Sequence, residues 1–326
     1  LQYVESRIDN KNISNYKFVY DIGYWDNNLG ENLMKNFKDI DIAFVVLHYN
    51  ALETTVNCIK SIKKNIDTAL YKIIVVDNNS PDKSGLILKK IFFKDNYVEV
   101  IILKENLGFA NGNNRGIEFV RKRYKSLFIC CINNDILIEQ SDFYKNLLNE
   151  YKKSKAALIG PMVIGKDGLA QCYINELKSK EEYEKILEIY KAGTIPSKNF
   201  VKQFFITHGL GYKIYRWHMS KKKFQYIRHE NVILHGCCII FTPVFFNKLN
   251  GFNPNTFLYR EEELLYLSIR INDLKSVYLP CISVKHLEDV STDSLFKKKA
   301  AKKKLIIENQ IKSLQVLISE LEKIGL

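Results

Sequence analysis

Long hydrophobic runs are missing from this chain. The longest apolar stretch, Val232 to Phe246, is broken by His235, Gly236, Thr242 and Pro243, and it falls short of the roughly 20 apolar residues that a bilayer-spanning helix requires. No transmembrane helix is expected. No signal-like segment stands at the start, and Leu1 reads as a trimmed boundary. The seven cysteines are an odd count and include no CxxC spacing. Two adjacent pairs, Cys130-Cys131 and Cys237-Cys238, lie in apolar runs. Neighbouring strand residues face opposite ways, so these cysteines read as small buried hydrophobes rather than disulfides or metal ligands, in keeping with a reducing cytoplasm. No GxGxxG opens a helix after the first apolar run and no GxxxxGK(S/T) occurs, which argues against a dinucleotide dehydrogenase and a P-loop enzyme. The net charge of +13 comes without an RRM, KH or helix-turn-helix signature, so no nucleic-acid partner is expected. No internal repeat is visible.

What the chain does have is a core and an order. Its 326 residues, 46% of them apolar, suffice for one large or two small domains. The organising stretch is LFICCINNDILI, Leu127 to Ile138, in which a short apolar run ends at Asn133-Asn134-Asp135. That pattern predicts a buried strand stopping at a polar turn, with Asp135 at its carboxyl end. A lone carboxylate there suits Mg²⁺ or Mn²⁺ beside a diphosphate, or simply ends the strand. Three similar strands precede it: Ile42–Leu47 ending in His48-Tyr49-Asn50, Tyr71–Val76 ending in Asp77-Asn78-Asn79, and Val98–Leu103 ending in the Asn-rich run from Asn106. Helical spacing lies between them, as at Val56, Ile59, Ile62 and Ile66, which predicts a parallel, helix-covered sheet. Four polar clusters on one edge of a sheet make a site, because ligands of open α/β sheets bind beyond the carboxyl ends of the strands.

The motifs VVLHYN, VVDNNSPD, NLGFANGNNRG and INND, in this order and spacing, resemble the donor-binding half of family 2 glycosyltransferases. The resemblance continues through Gly160-Pro161, Leu234-His235-Gly236-Cys237, Gly251 to Glu263, and His286 upstream of Ser291-Thr292, and is nearest to rhamnosyltransferase-like members that build cell-surface polysaccharides. It implies the α/β GT-A fold, a Rossmann-like, mostly parallel sheet with helices on both faces. The domain would span residues 41–292, with a nucleotide-sugar-binding half at 41–139 and an acceptor and catalytic half at 140–292. Residues 1–40 read as an extension and 293–326 as a basic helical tail.

The resemblance also implies roles. Tyr49, Asn50 and Asp77 would hold base and ribose, with Asn79 in the same turn. Asn106, Gly108, Asn111 and Asn113 match a second nucleotide-contacting loop, and Asn134 stands beside Asp135 in the metal motif. That motif, commonly Asp-x-Asp, here keeps only Asp135, with His286 as its candidate partner; the residues alone leave His286 equally a structural histidine. His235 and Gly236 would approach the donor sugar. Glu262, with Glu261 as understudy, would be the base of an inverting transfer from a UDP- or dTDP-linked sugar to a hydroxyl of a glycan or lipid-linked acceptor. Read alone, Glu261-Glu262-Glu263 is also an acidic first turn of a helix. The alternative to an enzyme is a GT-A-like binding module that has lost its chemistry, favoured by the single motif carboxylate.

Acceptor recognition is expected between Gly165 and Glu230, where Lys178–Lys191 has helical character and Phe204–Phe224 mixes aromatics with basic residues. After Asp293, the lysine runs precede Ile307, Ile311, Leu314, Ile318 and Leu321, spaced as in a heptad seam. This helix would lie on an anionic membrane, pair with another copy, or pack against its own domain, giving a cytoplasmic protein with or without peripheral attachment to the cell membrane.

Overall fold

In the computed structural model, residues 37–171, 176–195, 223–287 and 299–324 are described. Residues 1–36 of the extension expected over 1–40, all but the last two residues of the aromatic and basic segment Phe204–Phe224, Ser291-Thr292 and the first late lysines lie outside the described residues, while residues 38–40 belong to the first strand.

The four expected strands form as β1 (Lys38–His48), β2 (Tyr71–Asp77), β3 (Val98–Ile102) and β4 (Tyr124–Asn133). Three helices connect them: α1 (Leu52–Asn65), α2 (Ser84–Ile91) and α3 (Gly108–Arg123). All pairings among the four are parallel, in the order β3-β2-β1-β4. The register sets His48 opposite Asp77 and Leu47 opposite Asn133, so three polar tips lie level at one edge.

The alternation along β1 explains the layers. Ile42, Phe44 and Val46 join the core beneath α1, while Ala43 and Val45 join the core on the other face with Ala110, Ile117 and Val120 of α3. A period of two sends neighbouring residues to opposite faces, and both faces are covered. Cys130 and Cys131 divide between the two cores in this way. Cys237 and Cys238 do not: both join the α1-side core, because Cys237 precedes its strand.

The second half extends the sheet with β5 (Ile136–Leu137), β6 (Leu158–Ile164), β7 (His229–Glu230), β8 (Cys238–Phe241) and β9 (Ser276–His286). Strand β8 runs antiparallel between β4 and β6, and β9 pairs parallel with β6. β5 and β7 pair antiparallel with β9. Around this half lie α4 (Phe143–Ser154), α5 (Lys180–Lys191), the short α6 (Pro243–Phe246) and α7 (Glu261–Ile271). Pairing β5 with β9 sets Ile136 opposite His286 and so brings the end of β9 beside Asp135.

The C-terminal helix α8 (Lys299–Lys323) packs on its own domain. Leu314, Leu317, Ile318 and Leu321 form a third core with Tyr183, Leu187 and Tyr190 of α5 and Leu264 and Leu267 of α7, with Ile307 and Ile311 partly buried against it. The heptad seam is thus covered from within the chain, the third of the three arrangements its spacing allows. No helix among the described residues is long and apolar enough to cross a membrane. Leu317→Ala, at a fully buried position of this core, is expected to cost about 2–5 kcal/mol in urea unfolding; a loss under about 1 kcal/mol would overturn the docking of α8.

Candidate active site

The tip of β1 is built around a buried histidine. His48 Nδ1 lies 2.7 Å from Thr55 Oγ1 and Nε2 lies 2.8 Å from Ser84 Oγ, which joins β1 to the first turns of α1 and α2. Burial holds the His48 pKa below its usual value, against the pull of Asp77 and Asp82. Thr55 Oγ1 also accepts from Asn134 Nδ2 at 2.9 Å, so the same network anchors the turn after β4. Beyond His48, Asn50 and Ala51 both take φ of 55°, a left-handed conformation that is costly for alanine and is characteristic of constrained sites.

Asp77 faces inward. Its Oδ1 accepts from the Ser80 amide at 3.1 Å and hydroxyl at 2.5 Å, and Ser80 Oγ accepts from the Asn50 amide at 2.9 Å. A Cβ on Gly85 would collide with Asp77 Oδ2, so α2 begins directly against this carboxylate. The residue is 3% exposed and sets the loop that carries Tyr49 and Asn50. Asn79 is exposed, with φ of 60°. Asn50 Oδ1 is buried without a hydrogen-bond partner among the described residues.

Asn78, which sequence reasoning left out of the site, staples β2 to the next loop. Its Nδ2 donates to Asn106 Oδ1 at 2.9 Å and to Gly108 O at 3.0 Å, and its Oδ1 accepts from Leu107 N at 2.8 Å. Gly108, with φ of 77°, lies so close to the Phe257 carbonyl that a Cβ would clash, and Phe109 N donates to that carbonyl at 2.7 Å. Asn111 Nδ2 donates to Pro254 O at 2.8 Å. Asn114 donates to Phe252 O at 3.0 Å and accepts from Phe252 N at 2.8 Å. Asn113 is buried and caps Phe109 O within its own helix. The Asn-rich run therefore clasps the 252–257 loop.

That loop delivers α7. Tyr259 and Arg260 have φ of 76° and 66° and turn the chain into a helix whose first turn is Glu261-Glu262-Glu263. The three carboxylates have separate fates. Glu263 accepts from Arg260 Nη1 at 2.7 Å, and Arg260 Nε donates to Gln310 of α8 at 3.1 Å. Glu262 Oε1 accepts from Gly236 N at 3.2 Å, and any Cβ at Gly236 would collide with that oxygen. Burial against an apolar cavity lined by Leu234, Ile239 and Leu265, and then the Glu263 charge, push the Glu262 pKa up to about 7. Glu261, 5% exposed, is pushed up to about 8 by burial and by Glu262.

The turn after β4 meets the end of β9. Asp135, 5% exposed, sets Oδ2 at 3.4 Å from His286 Nε2, while its Oδ1 has no hydrogen-bond partner among the described residues. His286 Nδ1 lies 3.1 Å from Gln171 Oε1. One ring nitrogen thus meets an amide oxygen and the other meets the carboxylate, the placement of a metal-binding histidine held by an outer hydrogen bond. A carboxylate oxygen without a partner among the described residues, beside an imidazole, fits a divalent cation. The His235 ring lies 5.8 Å from that of His286, and its Nδ1 accepts from Cys237 N at 3.2 Å. Burial, and then His286, bring the His235 pKa down to about 4 against the pull of Asp135, so near neutral pH its proton sits on Nε2.

The structure thus brings Asn134, Asp135, His235, Gly236, Glu262 and His286 together around the β4 and β8 tips, and Tyr49 and Asn50 to the level β1 tip. Asp77, Asn106, Gly108, Asn111 and Asn113 stand behind them as supports.

The chain is similar to known proteins in sequence and in fold. The model of glycosyl transferase family 2 matches residues 43–241. The rhamnosyltransferase WbbL of Escherichia coli (strain K12) is 24% identical over 241 residues, 72% of this chain and 79% of that protein. The crystal structure of GalNAc-T7 with UDP, GalNAc and Mn²⁺ superposes with a TM-score of 0.54 at 12% identity over 87% of this chain. The chain spans 48% of that protein's length, and the likeness shows the fold, GT-A. Staphylococcus aureus TarS 1-349 has a TM-score of 0.48 at 11% identity, with 88% of this chain and 74% of that one covered.

The acidic turn sets a pH dependence. Glu261 ionises near 4.5 when unfolded and near 8 when folded, so between these values the folded state binds more protons and stability falls as pH rises. Glu261→Gln is expected to flatten that fall in urea titrations between these two pH values; an unchanged slope would overturn the buried, neutral Glu261.

Proposed function

The chain belongs to glycosyl transferase family 2, and from that premise we propose that it is an inverting transferase moving a sugar from a UDP- or dTDP-linked donor to a hydroxyl of a glycan or lipid-linked acceptor. The observation that carries the reading is the Leu234–Cys237 turn. It holds Glu262 by the Gly236 amide and sets His235 beside His286 and Asp135, so a basic carboxylate and a cation-binding pair flank the same residues. The name of the relative that spans 72% of this chain makes rhamnose the first donor sugar to test.

In this mechanism, Tyr49 and Asn50 at the β1 tip receive the nucleotide, with the unsatisfied Asn50 Oδ1 as an acceptor for a base or ribose donor. Asp77 fixes their loop through Ser80. Asp135 and His286 would hold Mn²⁺ or Mg²⁺, which supplies charge neutralisation for the diphosphate. His235, protonated on Nε2, donates to a donor phosphate or sugar oxygen. Glu262 takes the proton of the acceptor hydroxyl as that oxygen bonds to the anomeric carbon; the bond from that carbon to the phosphate oxygen breaks on the opposite side, and the nucleoside diphosphate leaves. A carboxyl raised to about 7 is half ionised at neutral pH and a stronger base than an exposed glutamate.

Calorimetric titration of UDP and dTDP with Mn²⁺, Mg²⁺ or EDTA tests the site first. One nucleotide should bind in a cation-dependent way, and Asp135→Ala should weaken it; failure of both to bind a folded sample would leave an inherited fold without its chemistry.

Glu262→Gln should lower transfer by about 10²–10⁴-fold with nucleotide binding unchanged. Wild-type transfer should rise with pH through about 7 as Glu262 ionises. Equal activity in the variant would overturn the base assignment.

A further inference from the structure

We propose that helix α2 and the turn after it form a contact surface that lies on the face of an anionic lipid bilayer. The seam of α8, whose spacing made it a candidate for such contact, is spent on α5 and α7, whereas α2 keeps an apolar side uncovered. Leu88 of α2 joins the core beneath α1 and Phe92 packs against it, which leaves Leu86, Ile87 and Ile91 at 57%, 45% and 52% exposure. Phe93 follows at 81%, the most exposed large hydrophobic side chain among the described residues. Single exposed apolar side chains are ordinary; four between Leu86 and Phe93 make a patch of the kind that marks a contact surface.

The charge identifies the partner. From Lys83 to Lys94 the chain carries four lysines and no acidic residue, and all four are exposed. Lys90 lies one turn from Leu86, so charge and apolar surface share one side of α2. The flanking acids are engaged: Asp82 accepts from the amide and hydroxyl of Ser84, and Asp95 is paired with Lys63. An apolar patch interleaved with lysine matches a bilayer with anionic headgroups. The apolar tips enter the acyl boundary, and the long lysine stems let the ammonium groups stay at the phosphates. The same charges disfavour a second copy, because a two-fold contact sets a patch against itself and its lysines against one another.

The geometry of α2 ties this surface to the candidate active site. Ser84 Oγ, in its first turn, lies 2.8 Å from His48 Nε2, and Gly85 lies directly against Asp77. Contact through α2 therefore keeps the β1 and β2 tips close to the headgroups. This placement favours the lipid-linked one of the two acceptor classes, a consequence that rests on the transferase reading, while the surface itself does not.

Vesicle flotation of the full chain tests the surface without any nucleotide. Vesicles of phosphatidylcholine mixed with phosphatidylglycerol should carry the protein upward at low salt, pure phosphatidylcholine should carry little, and high salt should weaken the binding. Lys89→Glu combined with Lys90→Glu should weaken it by more than about 25-fold, at about fivefold for each lysine removed, and Phe93→Ser by at least about tenfold. Lys303→Glu combined with Lys304→Glu, at exposed positions of α8, should leave it within about twofold. Binding lost in the α8 pair and kept in the α2 variants would overturn the proposal, as would a wild-type chain that floats with neither vesicle or equally with both. In sedimentation velocity, a dimer that Phe93→Ser dissolves, in a chain that binds no vesicle, would assign the patch to a second copy instead. The two readings separate: vesicle binding by a chain that binds no nucleotide sinks only the transferase, and nucleotide binding by a chain that floats with neither vesicle sinks only the surface.

Discussion

The clasp between α3 and the 252–257 loop is the contact on which the site depends. The loop has no regular structure, so its backbone groups take their partners from elsewhere. The side chains of Asn111 and Asn114 and the amide of Phe109 supply them. Gly108 lets the two backbones touch at Phe257. Once the loop is fixed, the paired left-handed residues Tyr259 and Arg260 can be held against a strain of about 1–3 kcal/mol each, and they aim α7 at the sheet edge. The first half of the fold therefore positions the acidic first turn of α7.

Three adjacent glutamates would repel one another if all were ionised, and the structure resolves this by giving each a different environment. Arg260 neutralises Glu263 and is itself steadied by Gln310 of α8. Burial leaves Glu261 protonated at neutral pH. Glu262 sits between these extremes, with one backbone amide favouring its charge and apolar neighbours opposing it. The C-terminal helix contributes to this division, since it covers α7 on the side that carries Arg260 and also bonds the Leu258 carbonyl through Ser313.

The strands, their parallel order and their polar tips were legible because each rests on local information: an apolar run, a period, and an Asn/Asp cluster where the run stops. The acidic helix start and the pairing of Asp135 with His286 were legible through the resemblance. The hydrogen bonds of Asp77 and Asn111 were not legible, since Asp77 holds a turn three residues on and Asn111 a loop far along the chain. The cysteines were read from their apolar neighbours alone. That reading fits Cys130 and Cys131 on opposite faces, while the histidines beside Cys237 come from a separate turn and from β9.

By itself the sequence determined the α/β alternation, the level edge of polar turns and the residue types gathered there, because periodicity and turn chemistry act between near neighbours. Tertiary structure alone decided which amides became staples, which of three glutamates kept a titratable proton near neutrality, and that the apolar seam of α8 was spent on α5 and α7. Hydrogen-bond partners and desolvation depend on what the fold brings within a few ångströms, and those neighbours come from distant parts of the chain.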